Sequence, residues 1–327
     1  MTIEPATNWP LQAQEKPGSY RRFVLEFFGL LIVGIAGFWV MLWWLGRADM
    51  LPPPPVTATS CLDEKFRFLA TRDVRSVDLI AVGSSVTWRN LDMSAFQRKG
   101  IAQRPLNAAP CYLHVSETTY YTDFLLRHMK HVKTVVSVVA PRDFEKCASP
   151  KEEFFSSTLA EAYVFGGLPP FPVYLANFRP YYFFRQVLHI KRMRTDPHYR
   201  FTMVMDEYGS GPLLAASPWL PEPLFDNMCF AALAGLEKVV NAAGAKLVVA
   251  TFPLQPEWRA KYDPHGHIVK SFEERIRATL LMPSTQLLLG TKMEVESLRH
   301  ADSIHYVWES AVEYTARLAD QITTKHD

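Results

Sequence analysis

Residues 77–87, VDLIAVGSSVT, decide how this chain is read. Val77–Val82 is a short apolar run ending at Gly83, the pattern of a buried strand that turns sharply. A serine just past the carboxyl end of such a strand, beside a glycine that permits the turn, is well placed for a nucleophile. The same residues also suit an ordinary strand-to-helix turn with a serine cap. Working outward, Pro105–Ala109, Thr134–Ala140, Lys246–Phe252 and Gln286–Leu289 are the other strand candidates. Helical periodicity occupies about 62–71, 116–130, 223–243, 267–281 and 307–323. Apolar runs alternating with amphipathic helices predict an α/β fold whose parallel sheet is covered on both faces. Ligand sites in such sheets gather at the carboxyl ends of the strands.

Near the C-terminus, Asp302-Ser303-Ile304-His305 precedes the last helical pattern. An aspartate three residues before a histidine on one loop can orient the imidazole, select its tautomer and stabilise the imidazolium. The plainer reading is an aspartate helix cap beside a surface histidine.

Taken together, Gly83-Ser84-Ser85 and Asp302-x-x-His305 resemble the serine and histidine blocks of the SGNH/GDSL hydrolase superfamily, over roughly residues 75 to 325. The resemblance implies a three-layer α/β/α domain in which Ser85 is the nucleophile, His305 the general base and Asp302 its orienting partner. The superfamily's oxyanion blocks carry a glycine after the second strand and an asparagine after the third. Here those segments read Leu106-Asn107-Ala108-Ala109-Pro110 and Ala140-Pro141-Arg142-Asp143. The oxyanion candidates are then the Ser85 N–H, Asn107 and Arg142, the last also suited to pairing with an acidic neighbour.

Phe27 to Leu45, FFGLLIVGIAGFWVMLWWL, carries no charge, and as a helix it would cover roughly 28 Å, close to a bilayer's hydrocarbon thickness. Trp39, Trp43 and Trp44 gather toward one end, as at a lipid–water boundary, and Arg21 and Arg22 precede the span. These features predict a single-pass anchor with a cytoplasmic N-terminus. A cleaved signal peptide and a buried core helix are the competing readings. The organisation expected is a cytoplasmic tail (1–22), a membrane helix (23–46), a Pro-rich spacer (47–60) and an exoplasmic domain (61–327) with an aromatic-rich insertion at about 149–222. In a bacterial cell that places the chain in the inner membrane with its domain in the periplasm.

An outward-facing, membrane-anchored domain with a Gly-Ser-Ser block most resembles the branch containing alginate-type polysaccharide O-acetylation proteins and teichoic-acid D-alanylation proteins. That resemblance implies an acyltransferase acting on an exported polysaccharide, with a multispanning membrane acyltransferase as partner and no cofactor. An esterase using water as acceptor and a catalytically silent scaffold are the alternatives.

Other features are less specific. The near-balance of 35 Lys+Arg against 33 Asp+Glu argues against a nucleic-acid partner. The insertion is dense in aromatics, among them Phe154, Phe155, Tyr163, Tyr174, Tyr181, Tyr182 and Phe184, and is followed by the basic run His189–Arg194. It suits a satellite core, a membrane or partner contact, or glycan stacking. Asp263, His265 and His267 crowd one loop without a metal-binding helix motif, so no metal is expected. Cys111 and Cys147 both follow strand ends, which makes them one of three pairings open to four cysteines.

Overall fold

The computed structural model describes residues 17–57, 59–147 and 154–323. The chain divides into two compact units at Leu51/Pro52. The first contains α1 (Pro17–Arg47), whose segment Tyr20–Arg47 includes an 18-residue window of mean hydropathy 2.2 and is long and apolar enough to cross a membrane. Residues 17–22, expected in a tail, are thus helical, and 1–16 lie outside the described residues.

The second unit runs α2 (Ser60–Ala70), β1 (Leu79–Ala81), α3 (Ser85–Asn90), α4 (Met93–Arg98), β2 (Pro105–Asn107), α5 (Val115–His128) and β3 (Thr134–Val139). Four short helices follow: α6 (Ser157–Val164), α7 (Pro170–Asn177), α8 (Pro180–Val187) and α9 (Ile190–Thr195). Then come α10 (Asn227–Ala242), β4 (Lys246–Thr251), α11 (Pro256–Tyr262), α12 (His267–Thr279), β5 (Gln286–Leu288), β6 (His300–Asp302), β7 (His305–Tyr306) and α13 (Trp308–Thr323).

β1 to β5 form one parallel sheet in the order β2-β1-β3-β4-β5. Alternation along each strand splits its side chains between two cores. Ile80, Val82, Val135 and Val249 face α2, α5, α10 and α12, whereas Leu79, Ala81, Val136 and Ala250 face α4, α11 and α13. Strands buried on both faces must be apolar at every position, which is why they read as continuous runs. The strand order reverses direction at β1, between β2 and β3. That is the switch point where crossovers diverge and leave a crevice at the carboxyl edge.

The proline run is not a free spacer. Pro52, Pro53 and Pro54 are buried in the second unit, where the Tyr174 hydroxyl donates to the Pro52 carbonyl and Asn177 Nδ2 to the Pro55 carbonyl at 3.0 Å. Asp63 of α2 accepts from Thr57 N at 2.7 Å. Rigid φ angles make prolines inexpensive to order, so the segment serves as the domain's first packed stretch. The cysteines pair as Cys61–Cys111 and Cys147–Cys229, so the Cys111–Cys147 pairing is corrected. Each bridge ties the segment after a strand to a helix, α2 for the β2 segment and α10 for the β3 segment.

Candidate functional site

The turn after β1 requires its glycine. Gly83 has φ +146°, and a Cβ there would stand 2.2 Å from Thr87 Oγ1. That close approach exists because Thr87 points back into the sheet, donating to the carbonyls of Val82 (3.1 Å) and Val138 (2.9 Å) and accepting from Val138 N (3.0 Å). Thr87 thereby locks the serine turn onto β1 and β3 together.

The two serines differ in their surroundings. Ser84 is buried and caps α3, its Oγ accepting from Val86 N at 3.1 Å. Its hydroxyl is also hydrogen-bonded to Asp143. Ser85 begins α3 and is only half-buried, and among the described residues no hydrogen bond engages its hydroxyl. As a first-turn residue it also holds a backbone N–H that the helix itself cannot pair.

His305 and Asp302 sit on the β6–β7 ribbon, and the Asp-x-x-His spacing follows from the turn. Asp302 Oδ1 accepts from Ile304 N (2.9 Å) and His305 N (3.0 Å), closing the loop around its own carboxylate. This brings His305 Nδ1 to 2.8 Å from Oδ2 and 2.9 Å from Oδ1. Burial would raise the Asp302 carboxyl, but the His305 imidazole and the two backbone N–H groups outweigh it and hold its pKa below the usual value. An ionised Asp302 fixes the proton on Nδ1 and leaves Nε2 as the acceptor nitrogen. That Nε2 is buried and, among the described residues, without a hydrogen-bond partner.

Asn90, at the far end of α3, joins these elements. Its Nδ2 donates to Val86 O (2.8 Å) and Ile304 O (2.9 Å), and its Oδ1 accepts from Tyr306 N (2.8 Å). Residues on either side of His305 are thus hydrogen-bonded to the six-residue helix that starts at Ser85. Such a helix is only about 9 Å long. Asp143 adds a further link, since it meets Ser84 and lies within electrostatic reach of His305. Burial pushes the Asp143 carboxyl up to about 6, against the hydrogen bonds from Ser84 and Ala140 N and the nearby charges of His305 and Arg142. Neither Asn90 nor Asp143 was distinguishable in the sequence. An asparagine five residues after a serine and an aspartate in a tight turn are too common to signal alone.

Of the two side-chain oxyanion candidates, one is tied into the packing and the other makes an ion pair. Asn107 is fully buried, with Nδ2 donating to the α3 carbonyls of Thr87 (3.4 Å) and Trp88 (3.2 Å) and Oδ1 accepting from Ala109 N (3.1 Å). It ties β2 to α3. Arg142 pairs with the buried Glu145 and lies 5.8 Å from the Trp219 ring, which matches the ion-pair reading. Both Asn107 amide hydrogens are thus engaged, whereas the Glu145 pair uses one of Arg142's five N–H donors. In the 263–267 loop, Asp263 accepts from Ile268 N (2.9 Å) and Val269 N (2.8 Å), so its carboxylate caps α12.

Three buried donors hold the end of the insertion against this edge. Lys65 Nζ donates to the carbonyls of Asn107 (3.0 Å) and Gly209 (2.7 Å), and Trp88 Nε1 donates to Gly209 O (3.0 Å). Arg89 stacks on Trp88 and donates to Thr202 O and Gly211 O.

No protein-family model, curated protein or solved structure matches this chain. Fold and site define an α/β protein with a parallel sheet, a serine turn at its switch point and a carboxylate-oriented histidine whose ribbon is hydrogen-bonded to the serine helix through Asn90; among the described residues no hydrogen bond joins Ser85 to His305.

Proposed function

We propose that the chain is an SGNH-type, serine-dependent O-acyltransferase, anchored in a membrane by α1 and acting on an exported polysaccharide. The observation that carries this reading is the His305 imidazole. Asp302 holds its Nδ1, its Nε2 is unpaired, and hydrogen bonds tie the ribbon around it to the helix that begins at Ser85.

The reaction is a double displacement. His305 Nε2 takes the Ser85 hydroxyl proton as Oγ attacks the carbonyl carbon of an acyl donor. The Ser85 N–H donates to the oxyanion that forms. Collapse expels the donor's leaving group, which takes the proton from Nε2 and leaves an ester on Oγ. A glycan hydroxyl then gives its proton to Nε2, attacks that ester and departs acylated, and the proton returns to Oγ. Asp302 remains ionised throughout and stabilises the imidazolium at each transfer. The N-terminal end of α3 contributes its dipole to the oxyanion.

The test uses the full-length chain in detergent, a fluorophosphonate and a chromogenic acetyl ester with and without oligosaccharide. Ser85→Ala is expected to abolish both labelling and turnover, while Ser84→Ala retains labelling. Turnover that rises with oligosaccharide supports transfer, and equal turnover in water alone replaces it with hydrolysis. Undiminished labelling of Ser85→Ala rejects the site.

A further inference from the structure

The outer face of α8 carries large apolar side chains around one arginine, Arg185, where a surface helix would be mostly polar. Phe183 and Val187 point into the domain and are buried. On the other side Tyr181, Tyr182, Phe184 and Leu188 are 70%, 57%, 51% and 76% exposed, joined by Leu175 of α7 at 54%. Large aromatic and aliphatic side chains thus stand exposed on the same side as a cation. A contiguous exposed apolar patch on a soluble unit marks a contact surface.

Two observations identify what covers it. The first is charge. Residues 162–195 contain no Asp or Glu but five basic residues, Arg179, Arg185, Lys191, Arg192 and Arg194. Arg194 is spent on Glu64 and Arg192 on Asp196, while Arg179, Arg185 and Lys191 flank the aromatics. Tyrosine and phenylalanine edged by Lys and Arg compose an interfacial surface, with rings at headgroup depth and cations among anionic phosphates. The second is chain connectivity. α7 is hydrogen-bonded through Tyr174 and Asn177 to Pro52 and Pro55. Only four residues separate Pro52 from Arg47, the end of α1. Fully extended, that connection spans at most roughly 18 Å. With α1 in a bilayer, that limit holds Pro52, and the Tyr174 hydroxyl bonded to it, within the same short reach of the membrane exit.

We infer that the exposed face of α8, with Leu175 of α7, docks on the anionic surface of the bilayer that α1 crosses. The inference rests on the membrane-spanning reading of α1 and not on the acyl-transfer chemistry. Docking there would hold the domain at one height and tilt above the lipid. Two-point attachment of this kind limits where the carboxyl edge of the sheet can reach.

The experiment exploits the four cysteines, all held in disulfides, so that one introduced cysteine is the sole free thiol. Full-length Tyr182→Cys, Leu188→Cys and, as an aqueous reference on α12, Ala278→Cys would each carry an environment-sensitive nitrobenzoxadiazole label. The chains are reconstituted into vesicles of 3:1 phosphatidylethanolamine and phosphatidylglycerol. Labels at 182 and 188 are expected to emit to the blue of the label at 278 and to be quenched by lipids carrying a nitroxide near the headgroup. Both effects should shrink when phosphatidylglycerol is replaced by phosphatidylcholine. Water-like emission at 182 and 188, or a blue shift insensitive to the lipid nitroxide, overturns the inference, the latter pointing to a protein partner instead. Release of the chain from vesicles by alkaline carbonate overturns the anchor reading beneath it, and is scored separately.

Discussion

Asn90→Ala isolates the coupling between the serine helix and the histidine ribbon. The amide is completely buried and makes three hydrogen bonds, two of them across to Ile304 O and Tyr306 N. Truncation strands a buried carbonyl and a buried N–H, each worth about 1–3 kcal/mol when left unpaired. The expected loss of stability is therefore about 2–6 kcal/mol, against the roughly 5–15 kcal/mol typical of a domain, and activity is compared only in the folded fraction. The functional loss should exceed what unfolding explains, because the ribbon that carries His305 loses its register against α3. A displacement near 1 Å costs on the order of 100-fold in a positioned reaction. Urea unfolding of the full-length chain in detergent gives the first quantity, and the second-order rate of fluorophosphonate labelling gives the second. Asn90→Asp, which keeps the acceptor for Tyr306 N, should fall between the two. Destabilisation below about 1 kcal/mol, or wild-type labelling in folded Asn90→Ala, would refute the argument that Asn90 unites the site.

Two further outcomes are expected. Because burial raises Asp143 to about 6 from an ordinary 3.8, the folded state binds a proton that the unfolded state has released between those values. Stability from this group is thus present at low pH and lost as pH rises from about 4 through 6, by about 3 kcal/mol. Asp143→Asn, whose amide oxygen can still accept from Ala140 N, should lose less stability than wild type between pH 4.5 and 7, and parallel urea curves would contradict this. The bridges close segments of 50 and 82 residues, each worth about 4 kcal/mol by the loop-entropy argument. Cys147→Ser with Cys229→Ser should lower the urea midpoint accordingly. Peptide mapping without reductant should recover 61–111 and 147–229 pairs, and a 111–147 peptide would contradict the structure.

The strands β1, β3 and β4 were legible in the sequence because they are buried on both faces and so are mainly apolar. The expected Thr134–Ala140 and Lys246–Phe252 differ from β3 and β4 by a single terminal residue. The long helices were legible for the complementary reason, a sustained 3.6-residue period. The short helices α3, α4 and α6 to α9 were not, since six to eight residues hold too few turns for periodicity to emerge. Gly83 and the Asp302-x-x-His305 spacing were local matters, because a turn's φ and a carboxylate's reach across three residues are encoded within a few positions. Tertiary structure alone decided the rest. It spent Asn107 on the carbonyls of α3, left Ser85 more open than the buried Ser84, and set Asn90 between helix and ribbon. It also chose the disulfide partners and divided the insertion's aromatics between core and surface. The disulfides and the bonds that Asn107 and Asn90 make across elements depend on partners 19 to 216 positions away. A residue's type states what it can bond, and the packed fold determines what remains for it to bond.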